Sequence, residues 1–372
     1  MKRRLIALIS VLMVLAMVFT ACGTQKNPQP SPSVAPSSSS TPDASQSAEP
    51  SKEPELPKTK SVVLYSASST NQNEMIQQMW ADLHPDIELE VVSAGSGELQ
   101  NRIIAEAGNP QGDVMMGGSF AVYTALEDHL TPYVSPNAAS CVAEFVSPNE
   151  KFTAIQINVN TIMVNNKMVK DLGVTVDGWE SLANPALKGN IIFADPSSAS
   201  SGREQVVNML AAMNGTGNMD DGWNFIQKFI ANLGGKISSS SSAVYTGVAN
   251  GEYAVGITNE EKVIENIVNG ADVSAVYAKE GITLRTSYCG IIKGSANEYN
   301  ARLLVDFFTS KEYQQACASQ LYQRSIRSDV DFTVEGISAT KDLNSIPYPS
   351  EWVEKNSDSL KEKFQDLWTS VK

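Results

Sequence analysis

Short loops rich in serine and glycine precede several predicted helices, and their residue types and spacing could hold a charged group. A helix N-terminus offers unpaired N–H groups and about half a positive charge, and serine hydroxyls add donors without crowding. A phosphate, phosphonate or carboxylate fits that environment. The alternative is that these serines are ordinary helix caps, which any protein favours. The loop residues concerned are Ser66, Ser68, Ser69, Gly95, Ser96, Gly118, Ser119, Ser200, Ser201 and Gly202.

Later loops and helix starts supply further candidates for ligand contact. Ser201 and Glu204 stand at the spacing of a capping box, which would make Ser201 a structural cap. Arg285 could bring a full positive charge to an anion. Glu260 opens a predicted helix and could either complement its dipole or touch a ligand. The candidates in this part of the chain are Ser241, Tyr245, Thr258, Asn259, Glu260 and Arg285.

Composition and charge exclude several classes of function. The 372 residues carry a net charge of -13, and a chain beginning at Cys22 has 25 bases and 41 acids, a net charge of -16. This balance argues against nucleic acid as a partner. With His84 and His129 as the only histidines, a multi-histidine metal centre or a Ser-His pair is disfavoured. We expect no cofactor and no catalysis. The alternatives from other classes are a surface hydrolase and an adhesion module.

The N-terminus predicts export and a lipid anchor. Residues 1–21 combine three basic residues with an apolar run of about fifteen residues, as in a signal peptide. Ala21-Cys22 resembles a bacterial lipobox, whose cysteine is diacylated on sulfur, for example with palmitate. Residues 22–60 are rich in Ser and Pro and predict a disordered tether. We expect the protein on the extracellular face of the cell membrane, and the tether length favours a Gram-positive cell.

The remaining chain alternates strands and helices, which predicts wound, mainly parallel sheets. Strands are predicted at Ser61–Ser66, Thr161–Val164 and Ser287–Ile292, among others, with helices between them. About 312 residues exceed the comfortable size of one core, so two α/β lobes are expected. Three cysteines remain after Cys22, an odd number that leaves at least one thiol free, while one disulfide stays possible.

The sequence contains an ordered set of short motifs: Leu64-Tyr65-Ser66, Gly95-Ser96-Gly97-Glu98-Leu99, Ala107-Gly108-Asn109-Pro110, Asp113-Val114, Gly117-Gly118, Asp195-Pro196-Ser197-Ser198, Val248-Ala249-Asn250-Gly251-Glu252-Tyr253-Ala254-Val255-Gly256 and Arg324-Ser325-Ile326-Arg327. This set resembles the extracellular solute-binding proteins of ABC importers. The branch concerned contains ferric-iron, aminoethylphosphonate and hexose-phosphate binders. The resemblance covers about 61–330 and implies a type II periplasmic-binding-protein-like fold, in which two lobes joined by crossing strands close on a ligand. It places lobe 1 at 61–158, lobe 2 at 159–278, and a return to lobe 1 with C-terminal helices at 279–372. It implies a monomer that serves a membrane permease.

The ligand is the question that the resemblance leaves open. Ferric members hold iron with a His, a Glu and two adjacent tyrosines. The matching positions here are Ser69, Gly118 and the Glu260-Glu261 pair, so none of the four ligand types is retained. We therefore expect no metal site and predict a small anionic metabolite that carries a phosphate or phosphonate. A ferric complex held by Glu260 and Glu261, or a neutral polyol, remains an alternative.

Overall fold

The computed structural model describes residues 56–142, 149–215 and 217–371. The predicted signal peptide, Cys22 and the tether up to residue 55 lie outside this range. Near the end of the predicted tether, Thr59 and Lys60 are held: the Asn300 amide donates to Thr59 O at 3.1 Å, and Glu88 N–H donates to Lys60 O at 2.9 Å. Within the described ranges, no helix has both the length and the apolar character needed to span a membrane.

The first elements form a parallel β-α-β-α-β-α unit, as the alternating sequence predicts. Strand β1 lies between β2 and β3 and pairs with both in parallel. Val62 and Leu64 of β1 pack against Ile76 and Trp80 of the following helix in one apolar cluster. The elements are β1 (Ser61–Ser66), α1 (Thr70–Leu83), β2 (Glu88–Ser93), α2 (Ser96–Ala105), β3 (Val114–Met116) and α3 (Phe120–Ala125).

The rest of the chain adds a second set of strands and helices and then returns to the first. The middle elements are β4 (Leu130–Thr131), β5 (Thr153–Asn165), α4 (Asn166–Asp171), β6 (Ile191–Ile192), α5 (Ser200–Ala212), α6 (Trp223–Asn232), α7 (Ser241–Ala249), β7 (Val255–Asn259), α8 (Glu260–Val268) and β8 (Val273–Val276). The last are β9 (Ile282–Ile292), α9 (Glu298–Thr309), α10 (Lys311–Gln320), β10 (Ser345–Ile346) and α11 (Ser350–Val371).

Two long antiparallel strands, β5 and β9, connect the two sets of elements. The main strand order is β2-β1-β3-β9-β5-β7-β6. The first part of β5 pairs with β9, whereas its second part pairs with β7 and β8. The C-terminal part of β9 pairs with β3. We call the β1–β3 side, with α1–α3, α9 and α10, the first lobe, and the β6–β8 side, with α5–α8, the second lobe.

Both crossing strands are longer than the sequence predicts. β5 begins at Thr153 and β9 at Ile282, whereas the apolar pattern indicated only Thr161–Val164 and Ser287–Ile292. Polar residues such as Gln156 in β5 interrupt the pattern, because they face a cleft and not the core. The predicted strand windows were therefore too short at their N-terminal ends.

The C-terminal helix α11 packs mainly against the second lobe. It contacts α6 and α5, and the Phe364 ring lies 6.0 Å from the Phe193 ring, centroid to centroid. The chain therefore passes through the first lobe in α9 and α10 and ends on the second. Cys141, Cys289 and Cys317 are free thiols, and Cys289 and Cys317 are buried in the core.

Candidate functional site

A cleft of about 690 Å³ lies where loops of both lobes meet the crossing strands. Its first-lobe wall consists of the loop and first turn around α1, the Gly117-Gly118 turn and the residues that follow α10. Its second-lobe wall is the start of α8, and its floor comes from β5 and β9. The predicted ligand residues that line this cleft are Ser68, Ser69, Gly118 and Asn259.

The start of α1 uses its serines partly for its own structure. Ser69 is the N-cap, and its hydroxyl accepts from Gln72 N–H at 3.4 Å. Ser66 is fully buried; its hydroxyl donates to Asn73 Oδ1 at 2.6 Å and accepts from Ser68 N–H at 3.2 Å. Ser66 therefore supports the loop from behind, while Ser68 and Ser69 face the cleft.

The Gly117-Gly118 turn lets three loops approach each other closely. Both glycines have positive φ, 85° and 101°. A Cβ at Gly117 would meet Ala67 at 3.1 Å, and one at Gly118 would meet the Cβ of Ser96 at 3.2 Å. Ser96, the first residue of α2, thus packs against the turn, and Gly95 is the N-cap of that helix. The glycines are required by backbone geometry, whatever they contribute to binding.

Carboxamide and hydroxyl groups form the floor of the cleft. Gln156 Nε2 donates to Asn158 Oδ1 at 3.0 Å, and Asn158 Nδ2 donates to Ser287 Oγ at 2.9 Å. Asn160 continues this face of β5 and stands opposite Asn259 in the register with β7. Sequence reasoning missed this floor, although the alternation of polar residues in the stretch 156–160 was a signal for it.

Asn160 and Asn259 carry hydrogen-bonding atoms that the protein does not use. Asn160 is 1% exposed, and neither its Oδ1 nor its Nδ2 has a partner among the described residues. Asn259 Oδ1 also lacks one, while Asn259 Nδ2 donates to Glu261 Oε1 at 3.1 Å. Most buried polar groups are paired, so unpaired amides beside a cleft indicate a place for water or ligand.

The start of α8 brings two acids and one base to the cleft. Glu261, Lys262 and Glu265 line it, and Lys262 Nζ lies 2.9 Å from Glu265 Oε2. Burial raises the pKa of Glu261 above its ordinary value. Burial lowers the pKa of Lys262, but its hydrogen bond to Glu265 and the charges of Glu265 and Glu261 outweigh this and raise it. The described cleft is therefore slightly acidic at its second-lobe wall.

Glu260 belongs to a buried ion pair and does not line the cleft. Arg324 Nε and Nη2 donate to its two carboxylate oxygens at 2.6 and 2.7 Å, and the side chains are 1% and 3% exposed for Arg324 and Glu260. The Tyr277 hydroxyl donates to the same carboxylate. The carboxylate outweighs the effect of burial and raises the pKa of Arg324. The expectation that Glu260 contacts a ligand or a metal is corrected by this pairing. Thr258, just before it in β7, is also buried.

The starts of α5 and α7 meet at a pair of serine hydroxyls. Ser201 Oγ and Ser241 Oγ are 2.5 Å apart. Their helices have Ala199 and Ser240 as N-caps, and neither makes a side-chain capping bond. The capping box predicted from Ser201 and Glu204 is therefore wrong, because the N-cap is Ala199 and α5 begins at Ser200, two residues before the start that a Ser201 cap would give.

The last predicted residues have structural neighbours of their own. A Cβ on Gly202 would lie 2.3 Å from Ala194 O, so this glycine permits the close packing of α5 on the strand end. Tyr245 of α7 lies near the cleft but does not line it: its ring centroid is 6.0 Å from Nζ of the cleft residue Lys262.

Arg285 and Ser119 line a second, smaller pocket of about 170 Å³. Arg285 Nη1 lies 3.6 Å from Glu204 Oε2, and its Nε has no partner among the described residues. The Tyr348 hydroxyl donates to Glu204 at 2.7 Å. Arg285 is thus loosely paired, and the structure does not place it among the residues that line the main cleft.

The described residues contain no group of three or more His, Cys, Asp or Glu side chains that could hold a metal ion. At the positions that match a ferric site of the His, Glu and paired-tyrosine type, the sequence has Ser69, Gly118 and the Glu260-Glu261 pair instead. The donors that surround the cleft are mainly hydroxyls, carboxamides and helix N–H groups.

Residues 62–322 match the family described as bacterial extracellular solute-binding protein, and the chain belongs to that family. A periplasmic protein of Salmonella paratyphi A, whose name provisionally assigns 2-aminoethylphosphonate binding, is 24% identical over 250 residues, 66% of this chain and 71% of that protein. The periplasmic binding protein AfuA of Actinobacillus pleuropneumoniae, solved with fructose-6-phosphate bound, is 25% identical with a TM-score of 0.69 over 84% of this chain and 99% of its own. Iron-bound HitA of Pseudomonas aeruginosa shares the fold: it is 17% identical, with a TM-score of 0.66 over 84% of this chain and 99% of its own.

These likenesses confirm the predicted class and architecture. The fold is the two-lobed type II fold of periplasmic binding proteins, with β5 and β9 as the crossing strands. The chain is a solute-binding protein of the ABC-importer type. Its named relatives are binding proteins and not enzymes.

Proposed function

We propose that this protein captures a small anionic metabolite carrying a phosphate or phosphonate, and delivers it to the transmembrane subunits of an ABC importer. The ligand lies between the lobes, with its anionic end toward the starts of α5 and α7 in the second lobe. The protein acts as a monomer on the extracellular face of a cell membrane, held by lipid on Cys22.

The observation that carries the proposal is the meeting of α5 and α7 at Ser201 and Ser241. Both helices start without a side-chain cap and without an acid in the first turn. Their N-terminal N–H groups therefore keep a partial positive charge that no side chain neutralises. Ordinary capping serines would accept from these N–H groups, as Ser69 does in α1. Two such helix ends, brought together by a hydroxyl pair, fit a tetrahedral oxyanion.

The relatives support the same chemistry. Fructose-6-phosphate in AfuA and the 2-aminoethylphosphonate of the Salmonella name both end in a tetrahedral phosphorus oxyanion. The net charge of this chain does not oppose such a ligand, because helix ends act locally and bulk solvent screens distant charges beyond about 10 Å. Glu261 and Glu265 would in addition suit an ammonium group at the other end of a zwitterion.

Calorimetry with fructose 6-phosphate, 2-aminoethylphosphonate and ferric citrate tests the proposal. We expect at least one of the two phosphorus compounds to bind at micromolar concentration or tighter. In the Ser201→Ala/Ser241→Ala double variant, its Kd should rise by about two to four decades, since each of the two lost hydrogen bonds to a charged group is worth about 1.5–3 kcal/mol. Unfolding stability should change little.

Ser310→Ala is the matched control for the double variant. Ser310 caps α10 of the first lobe, where it accepts from Tyr313 N–H at 3.2 Å, and it belongs to neither of the two helix starts under test. Its removal should lower stability by about 1 kcal/mol and leave Kd unchanged. Tight binding of ferric citrate alone, with no response to either phosphorus compound, would overturn the proposed ligand class.

A further inference from the structure

Tyr322 adopts a backbone conformation that its side chain disfavours. Its φ of 56° is the only positive value of a non-glycine residue among the described residues. The residue follows Leu321, the C-cap of α10, where helices commonly place a glycine in the left-handed region. A Cβ raises the energy of that region, so tyrosine is a poor choice for a helix end alone.

The segment around Tyr322 is held firmly on both sides. The N–H groups of Leu321 and Gln323 both donate to Cys317 O at 3.1 Å. The carboxamides of Gln323 and Gln72 exchange hydrogen bonds at 3.3 and 3.2 Å, which ties the segment to the first turn of α1. Arg324 makes the buried pair with Glu260 at the start of α8. The segment thus bonds to both walls of the cleft, and its neighbours fix the backbone of Tyr322.

Tyr322 lines the cleft, and its hydroxyl group has no hydrogen-bond partner among the described residues. It is half-buried and lines the cleft beside Gln320 and Gln323. No described residue bonds its hydroxyl, which can therefore donate or accept. Helix termination accounts for the left-handed backbone but not for the choice of tyrosine, because glycine would end α10 with less strain.

We propose that Tyr322 contacts the bound ligand, with its ring against the carbon skeleton and its hydroxyl on a polar group away from the anionic end. This role rests on the proposed function for the choice of probe, but the left-handed backbone and the cleft position carry it. Tyr322 is then a specificity-determining residue of the first-lobe wall, opposite the helix starts that receive the anion.

The test combines binding and stability for Tyr322→Gly and Tyr322→Phe. The glycine variant should bind the probe at least tenfold more weakly, while its melting temperature stays equal to or above that of the wild type, because glycine relieves the left-handed backbone. The phenylalanine variant should lose about three- to tenfold through the hydroxyl alone. Tyr299→Gly, a tyrosine of α9 in ordinary helical conformation, is the control and should lower the melting temperature without changing Kd.

The probes are fructose 6-phosphate, 2-aminoethylphosphonate and ferric citrate, and the outcomes separate the two proposals. Binding of a phosphorus compound within twofold of the wild type by Tyr322→Gly would overturn the role of Tyr322 and leave the proposed function standing. If the wild type binds only ferric citrate and Tyr322→Gly binds it tenfold more weakly, the proposed function is overturned and the role of Tyr322 stands. A fall in melting temperature as large as that of Tyr299→Gly would indicate a packing role instead. No binding of any probe by the wild type would overturn both.

Discussion

Removing Arg324 should destabilise the protein strongly, because it would leave the Glu260 carboxylate buried without its base. The pair is at most 3% exposed and has two N–O distances of 2.6 and 2.7 Å. Arg324 also donates to Thr340 Oγ1 at 2.8 Å and to Ser338 O at 2.6 Å. Breaking such a buried pair from one side costs about 3–5 kcal/mol. For a chain of this size we expect Arg324→Met to lower the melting temperature by about 5–10 °C.

The double variant Arg324→Met/Glu260→Leu shows whether the unpaired Glu260 carboxylate causes the loss of stability in Arg324→Met. When both charges are replaced by apolar side chains, neither is left unpaired, so at least half of the lost stability should return. The recovery should be incomplete because Thr340 and the Ser338 carbonyl still lose their donor. Urea unfolding without ligand, with equal m-values for all variants, is the assay.

Lys167→Met serves as the control for charge removal. Lys167 pairs with Asp171 on the exposed surface of α4, where such pairs are weak, so no measurable change is expected. The reasoning about a coupled buried pair fails if Arg324→Met is as stable as Lys167→Met. It also fails if the stability losses of the single variants Arg324→Met and Glu260→Leu simply add in the double variant.

Two further predictions concern the cleft and the anchor. Burial raises the pKa of Glu261, so this carboxyl ionises only as the pH rises above the ordinary value of 4.5, and its charge then opposes an anion. Glu261→Gln should therefore bind fructose 6-phosphate roughly three- to tenfold more tightly than the wild type at pH 8, with the ratio approaching one at low pH. Comparing both proteins at each pH by calorimetry cancels the ionisation of the phosphate, and a constant ratio would contradict the assignment. Cys22→Ala should abolish incorporation of labelled fatty acid, and undiminished labelling would exclude Cys22 as the anchor.

The sequence predicted those parts of the fold in which local pattern and burial agree. The helix that was predicted to open at Glu260 is α8, which begins at that residue, and its apolar residues recur at helical spacing and face the core. β1 was equally clear, as an apolar run of strand type. The crossing strands were recognised only where they are apolar on both faces. Their cleft-facing parts carry polar residues such as Asn158, whose role depends on the other lobe.

The sequence predicted site residues at helix starts, but it did not predict the contacts between residues far apart in the chain. Ser68 and Asn259 were found because capping residues and strand ends are local signals. The pairing of Glu260 with Arg324 joins residues 64 positions apart, and no local spacing indicates it. The adjacent acid Glu261 reaches the cleft instead, since neighbouring helical residues point in different directions. Of the two adjacent acids, Glu260 is therefore structural and Glu261 lies at the site.

Unused hydrogen-bonding capacity is concentrated around the crossing strands, and this is a physical reason to place the ligand there. Of nine buried side-chain atoms without a partner among the described residues, seven belong to β5, β7, β9 or α5. Each unpaired buried group costs about 1–3 kcal/mol, so an unpaired group beside a cleft indicates a place for water or ligand. Asn160 is the clearest case, because neither atom of its carboxamide is bonded and its neighbour Asn259 faces the cleft. Since Asn160 lies on β5, a strand that joins the lobes, a ligand that pairs with it would also fix how the lobes stand to each other.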